Sequence, residues 1–379
     1  MKILVTSGAY KHSLAVVRAL GKHGHRVSVI CNHFYDVCNF SRFCRERIFI
    51  TISKGKEYYL DHLLEKVRQK NFDLLIPVGH PVTSWVSSEM TAFEKYTRLV
   101  LANQEQIVRF ENKRQTQALA DRLGVPVPRT FYPSSIKDLA KVKAEMEFPA
   151  VIKDIEEGAS GSVFYIKKEA ELEPAYRLFL QKRRTKDAPL PMVQEYLTGR
   201  GAGFFALYNK GRCVQYFMHQ RIREYPVSGG ASCCAESYAD EKLLVFGKKI
   251  LDAAHWHGLA MVEFKYDSEG TPRLLEVNPK LWGSFDLSVA SGVDFLGKIV
   301  AIAQGKNDLR HQPYLPGIRF SWLFNGDLAH GLETGKSASV LKDVFSKNYR
   351  TNLEWKDPVA SIYLAGRGLF CLASRICTA

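Results

Sequence analysis

Residues 259–279 read LAMVEFKYDSEGTPRLLEVNP. Two acids, Glu263 and Glu276, stand among apolar neighbours: Val262 and Phe264 on one side, Leu274, Leu275 and Val277 on the other. Between them Tyr266-Asp267-Ser268-Glu269-Gly270 has the composition of a hairpin turn. Antiparallel strands on either side of that turn would bring the two carboxylates together, and Glu276 and Asn278, two apart, would share a face. Two carboxylates and an amide oxygen suit a hard cation, and Mg²⁺ typically binds through one or two carboxylates plus substrate phosphates. The alternative is a solvated strand face whose acids pair with lysines. The apolar flanks favour the cation.

Upstream, Pro149-Ala150-Val151-Ile152-Lys153 reads as a buried strand that runs into a loop of small and charged residues, Asp154–Ser162. Val163–Ile166 returns as the next strand, so the loop joins two strands rather than a strand and a helix. A lysine leaving a buried strand beside Gly158-Ala159-Ser160-Gly161 suits a phosphate, as a point charge next to free backbone N–H groups. Further strands are expected at Met192–Tyr196, Gly203–Tyr208, Cys213–His219, Leu259–Tyr266 and Arg273–Val277, with a helix over Asp240–Ala254. Arg183–Pro191 reads as a charged linker. Arg221 and Arg223 alternate on one strand near the Gly229-Gly230 turn, a pattern that fits a carboxylate or a transferring phosphoryl group, or else a solvated edge.

The amino-terminal hundred residues have the rhythm of a doubly wound unit. Lys2–Thr6 and Arg26–Ile30 are strands joined by a helix through Leu14, Val17 and Leu20, and a helix over Tyr58–Lys70 leads to a strand at Asp73–Pro77. The first turn lacks G-x-G-x-x-G, and the second strand ends in Cys31-Asn32 where a ribose-binding acid belongs, so this is not a dinucleotide fold. Glu105–Leu123 is helical in spacing and stops at Gly124; Val125-Pro126-Val127-Pro128 leaves it extended.

Composition narrows the function. Over 379 residues, 46% hydrophobic and 24% charged residues describe a globular chain. The net charge of +14 is spread out: 16 basic against 10 acidic residues in 1–112, 27 against 23 in 113–305, and 10 against 6 in 306–379. No basic stripe marks a nucleic-acid surface, so a small anionic substrate is expected in its place. No apolar run approaches the ~18 residues of a spanning helix, and no signal peptide is read, so a cytoplasmic location is expected. Eight cysteines without a C-x-x-C pair are expected to be reduced thiols. Pro358–Ile376 mixes apolar positions with Arg367 and Arg375, either a helix packed on the protein or an amphipathic surface anchor, which leaves peripheral membrane contact open. The oligomeric state is not legible.

Taken in order, Asn112-Lys113, the Gly-Val-Pro-Val-Pro exit, Phe-Pro-Ala-Val-Ile-Lys153, the small-residue loop, Val193-Gln194-Glu195-Tyr196-Leu197, Glu263 and Glu276-Val277-Asn278-Pro279 form a series that resembles the ATP-grasp superfamily over residues 1–305. The blocks Arg221-Ile222-Arg223-Glu224-Tyr225-Pro226…Gly229-Gly230-Ala231-Ser232 and Trp282-Gly283-Ser284 resemble its carboxylate–amine ligase-like branch. The resemblance implies an α/β and α+β architecture: a Rossmann-like domain (1–112), a small ATP-grasp subdomain with lid and phosphate loop (113–190), a large subdomain with the metal site (191–305) and a carboxy-terminal extension (306–379). It implies ATP held by Lys113, Lys153, the loop with Gly158, Ser160 and Gly161, and the adenine strand Gln194, Glu195, Tyr196 and Leu197. Glu263, Glu276 and Asn278 would hold two Mg²⁺ ions, with Mn²⁺ as a substitute. Arg221, Arg223 and Lys280 would act on the reacting carboxylate, and Gly229, Gly230, Ser232 and Ser284 would line the substrates. Many relatives have arginine at the position of Lys280, and an acid often follows Leu197-Thr198-Gly199, where this chain has Arg200.

The implied chemistry is ADP-forming: ATP activates a carboxylate as an acyl phosphate, which an amine attacks. The alternatives are a hydroxyl, thiol or carrier-protein acceptor, or a nucleotide-binding regulatory protein without turnover.

Overall fold

A computed structural model of the chain describes residues 1–156, 163–183, 188–306 and 309–376; the expected loop residues Gly158, Ser160 and Gly161 lie outside these. The amino-terminal strands β1 (Lys2–Val5), β2 (Arg26–Cys31), β3 (Cys44–Phe49) and β4 (Leu74–Ile76) make a parallel sheet in the order β3-β2-β1-β4. Parallel pairing follows from the helices that connect the strands, Lys11–Lys22 between β1 and β2 and Lys56–Lys70 before β4. Strand β3 was not foreseen. Its sequence CRERIF places charge at three successive positions, and as an edge strand it buries only Cys44 and Ile48.

The helix expected over Glu105–Leu123 is two helices, Gln104–Glu111 and Lys113–Arg122. Asn112 separates them in an extended conformation and caps the second, its side chain accepting from Gln115 N at 3.1 Å. The break also lets Lys113 N donate to Ile155 O at 2.8 Å, so the start of this helix is pinned beside the exit of the next sheet.

That sheet is antiparallel: β5 (Thr130–Phe131), β6 (Ala150–Lys153), β7 (Val163–Ile166) and β8 (Met192–Glu195), in the order β5-β8-β6-β7. It has its own core, in which Ile152, Ile166 and Val193 meet Leu172, Tyr176 and Phe179. Arg183, in the expected linker, is buried and pairs with Asp154 at 2.5 Å.

The third sheet comprises β9 (Gly201–Asn209), β10 (Arg212–Tyr225), β11 (Ala231–Ser237), β12 (Gly258–Tyr266), β13 (Pro272–Asn278), β14 (Arg319–Ser321) and β15 (Tyr349–Thr351), in the order β13-β12-β9-β10-β11-β14-β15. Its residues share cores with the parallel sheet. Phe204, Val262 and Trp256 pack with Leu4 and Leu63, while Phe205, Trp282 and Trp322 pack with Ile3 and Val16. Strand β11, ASCCAES, lacks the β-branched residues that signal a strand; pairing on both sides, to β10 and β14, supplies what propensity does not.

The carboxy-terminal segment is built into this frame through β14, β15 and a buried ion pair. Arg18, on the first helix, donates to Asp357 at 2.8 Å, to Ser361 at 3.1 Å and to Asn352 O at 2.6 Å; the Arg18 and Asp357 side chains are 2% and 1% exposed. Asp357 also accepts from Ser41 Oγ at 2.8 Å and Arg42 N at 2.9 Å. Among the described residues no helix is long and apolar enough to cross a membrane.

Removing one partner of a buried pair leaves the other charge uncompensated. Asp357→Ala should therefore destabilise the fold by about 3–5 kcal/mol in urea unfolding, whereas replacing Arg18 by Met and Asp357 by Leu together should recover most of the loss.

Candidate active site

Strands β12 and β13 pair antiparallel as expected, with Glu263 directly opposite Glu276. The register is not that of a plain hairpin. Phe264 faces Leu274 and Glu263 faces Glu276, so Leu275 is an extra residue, a bulge that brings the second acid level with the first. Asp267 fixes the turn by accepting from Glu269 N, Thr271 N and Arg273 Nε at 2.8–3.0 Å.

Two carboxylates side by side need cations, and three other elements deliver them. Arg221 on β10 donates to Glu263 at 2.6 Å and to Glu224 at 3.2 Å. Lys113, at the start of its helix, lies 3.2 Å from Glu276, and Asn278 Nδ2 donates to Glu276 at 3.1 Å. Lys153 stands at the end of β6, where burial pulls its pKa down to about 8 against the attraction of Glu276 and Glu263. Burial works against the charge on Glu276, but Lys113 and Lys153 prevail and hold its pKa down to about 2. Burial raises the pKa of Glu263, against Arg221 and with the support of Glu276.

Lys113, Lys153, Arg221, Glu224, Glu263 and Glu276 line a cavity of about 440 Å³ between the small and large sheets, while Asn278 stands behind Glu276, off the lining. Val151, Lys153 and Gln194–Leu197 face it from the small sheet's side; Gly201, Arg221, Glu224, Glu263, Lys265 and Glu276 face it from the large sheet. Gln194 is buried and donates to Thr130 Oγ1 at 2.8 Å, while Glu195 accepts from Arg129 N at 3.0 Å. The Lys265 ammonium lies 4.5 Å from the centre of the Tyr196 ring. Tyr165 on β7 reaches across to the turn after β10. A Cβ on Gly229 would stand 1.9 Å from its hydroxyl, and Gly229 has φ +125°, so this position needs glycine twice over. Tyr165 and Lys265 are marked by no local spacing, because the cavity wall is assembled from separate strands; Glu224 stands in the Arg221–Pro226 block, which assigns it no role of its own.

Arg223 corrects the expectation that the two arginines share a face. Arg221 pairs with Ala235 and Arg223 with Cys234, so Ile222 is an extra residue and the bulge turns Arg223 away from the cavity. Its guanidinium grips Asp327 with two bonds, at 2.6 and 2.9 Å, and Asp343 with one at 2.6 Å. Asp327 is fully buried and also accepts from Ser321 Oγ at 2.5 Å. Three further expected residues stand off the cavity wall. Ser232 donates to Cys234 O at 3.2 Å, Ser284 bonds His219 Nε2 at 2.7 Å, and Lys280 lies near His12, whose pKa burial, Lys11 and Lys280 depress to about 3. Arg200 stacks on Tyr238 and Tyr266, leaving Gly201 at the cavity.

Glu263, Glu276 and Asn278 offer only oxygen donors, which suits Mg²⁺ or Mn²⁺ and not a soft metal. Among the described residues no group of three or more His, Cys, Asp or Glu could hold a metal, so an ion here needs Asn278 and ligand oxygens to complete its shell.

Comparison with known proteins agrees with this layout. A family model described as "ATP-grasp in the biosynthetic pathway with Ter operon" matches residues 187–325. A D-alanine–D-alanine ligase from Pseudomonas entomophila is 25% identical over 207 residues, covering 50% of this chain and 63% of the ligase; the chain thus spans less than two thirds of that relative. Biotin carboxylase from Campylobacter jejuni, solved as a β,γ-ATP complex, superposes with a TM-score of 0.69 at 17% identity over 84% of this chain and 74% of that one. N5-carboxyaminoimidazole synthetase from Staphylococcus aureus gives a TM-score of 0.68 at 15% identity, over 91% and 85%.

Because Arg223 serves the buried Asp327, Arg223→Ala should lower stability by about 3 kcal/mol or more while nucleotide affinity at 25 °C stays within about twofold of wild type, as separated, independent sites do not couple. Denaturant unfolding beside titration calorimetry with a non-hydrolysable ATP analogue separates the two.

Proposed function

We propose that this chain, which an ATP-grasp family model matches over residues 187–325, is an ATP-dependent, ADP-forming ligase of the carboxylate–amine ligase-like branch of the ATP-grasp superfamily, joining a small-molecule carboxylate to an amine. The observation that carries the reading is the cavity between the small and large sheets, where Lys113, Lys153 and Arg221 converge on the Glu263–Glu276 pair.

Each residue has a task in that reading. Gln194–Leu197 line the adenine, and Lys113 and Lys153 bear on the phosphates. Glu263, Glu276 and Asn278 would hold Mg²⁺, which when bound would supply charge neutralisation for the transferring phosphoryl group. Arg221, which pairs with Glu263 at 2.6 Å at the cavity, would bear on the reacting oxygens. A carboxylate oxygen of the first substrate then attacks the γ-phosphorus, the bond to the β-phosphate oxygen breaks, and ADP departs. The amine attacks the acyl carbon of the resulting acyl phosphate; inorganic phosphate leaves and the amine loses a proton. Positioning and charge compensation account for such a mechanism without a protein nucleophile. Arg223 has no part in it, since the Ile222 bulge commits it to Asp327.

The test is product analysis with an amino-acid pair library and Mg²⁺. ADP and phosphate should form, and Glu276→Gln or Asn278→Ala should cost roughly 10²–10³ in kcat, as losing one preorganised stabiliser does. AMP and pyrophosphate, or turnover within a factor of two in both variants, would remove the proposal.

The Lys153 amine carries its proton below about pH 8 and loses it above. A triphosphate binds the charged form, so MgATP affinity should fall by up to about tenfold per pH unit above 8 until the complexed amine itself titrates. Lys153→Arg should bind with no such fall. Titration calorimetry between pH 7 and 10 reads the difference.

A further inference from the structure

Helix Pro358–Ile376 is apolar on both of its sides. Its inner side is used: Ala360 and Leu364 are buried, Ser361 takes a hydrogen bond from Arg18, and a Cβ on Gly368 would come within 2.3 Å of Phe324 O. On the outer side Val359, Ile362, Leu369 and Phe370 follow one another at helical spacing, with Ile362 71% and Phe370 74% exposed. Trp355, three residues before the helix, is 98% exposed. A surface helix ordinarily turns charged and polar residues outward. This one turns out an apolar stripe with an aromatic residue at either end.

The charges around the stripe indicate what covers it. Each acid between Lys336 and the helix is already occupied: Asp343 by Arg223 and Arg319, Glu354 by Lys22 at 2.6 Å, and Asp357 by Arg18. From Pro358 to the last residue the sequence has no acid at all. Lys356 and Arg367 are exposed and make no ion pair among the described residues. A second copy seated on the stripe would set these cations against their own images in an isologous contact. An anionic bilayer neutralises them, receives the apolar side chains at headgroup depth, and takes an indole at its interface. The helix does not meet the requirements for crossing a membrane, so it would lie in the surface plane.

We propose that the outer face of Pro358–Ile376, with Trp355, Lys356 and Arg367, docks the protein on a membrane surface rich in anionic lipid. The inference is independent of the ligase reading, because none of these residues lines the cavity.

The full chain should sediment with vesicles of phosphatidylcholine and phosphatidylserine in equal parts, sediment poorly with phosphatidylcholine alone, and be released by added salt. Ile362→Glu with Phe370→Glu should abolish sedimentation. Lys356→Ala with Arg367→Ala, which leaves packing untouched, should lower the partition coefficient roughly thirtyfold. Tryptophan emission should shift to the blue on vesicle binding in wild type and lose most of that shift in Trp355→Phe. No sedimentation with the anionic vesicles would overturn the proposal. So would equal partition of wild type and both double variants, or a concentration-dependent dimer that Ile362→Glu with Phe370→Glu dissolves and vesicles leave unaffected.

Discussion

Two carboxylates placed opposite each other on neighbouring strands repel, and the site is organised around that repulsion. Cations arrive from elsewhere to offset it: Arg221 from β10 beside Glu263, Lys113 from a helix start and Lys153 from the end of β6 beside Glu276. Those three elements belong to different layers, and the cavity is the place where they must meet. The shared cores of the parallel and large sheets fix one side of it. The small sheet, with a core of its own, brings in the other side and the strand Met192–Glu195. An arrangement that places anions and cations alternately around a cleft of this size suits a ligand carrying both phosphates and metal ions.

Two single-residue bulges do much of the positioning. The extra residue Leu275 sets Glu276 level with Glu263; the extra residue Ile222 separates Arg221 from Arg223. A bulge re-aims every side chain that follows it. Without the first, Glu263 would oppose Leu275 and the pair would dissolve. Without the second, Arg223 would join Arg221 at the cavity and Asp327 would be left buried without its guanidinium. The second bulge thus divides two neighbouring arginines into one for the cavity and one for the frame.

The carboxy-terminal segment shows the same economy. Asp327 and Asp343 bind β10 through Arg223, and Asp357 binds the amino-terminal helix through Arg18, so residues after 306 close the structure from the large sheet back to the first helix. Together with Lys22–Glu354, these pairs also occupy the three acids of that segment between Lys336 and the final helix, Asp343, Glu354 and Asp357. Its final helix is left with an apolar stripe and uncompensated cations.

Much of this was legible in the sequence, and for a physical reason. Strands β1, β2, β6, β7, β9, β12 and β13 announce themselves by runs of apolar residues between turns, and the acids of β12 and β13 stand out because charge in such a run is costly. The hairpin therefore gave away the carboxylate pair, and the apolar lead-in gave away Lys153. Strands β3 and β11 were hidden, one by the charges of an edge, the other by small residues that are held in a strand only through pairing on both sides. The helix break at Asn112 depends on a cap and on a bond to Ile155. The direction of Arg223 depends on one bulged residue, which no period-two reading contains. Sequence alone determined which residue types must be buried beside charge, since that is a matter of local transfer energy. Tertiary structure decided which cation neutralises which acid, because that choice rests on register and on contacts between residues as far apart as Arg18 and Asp357.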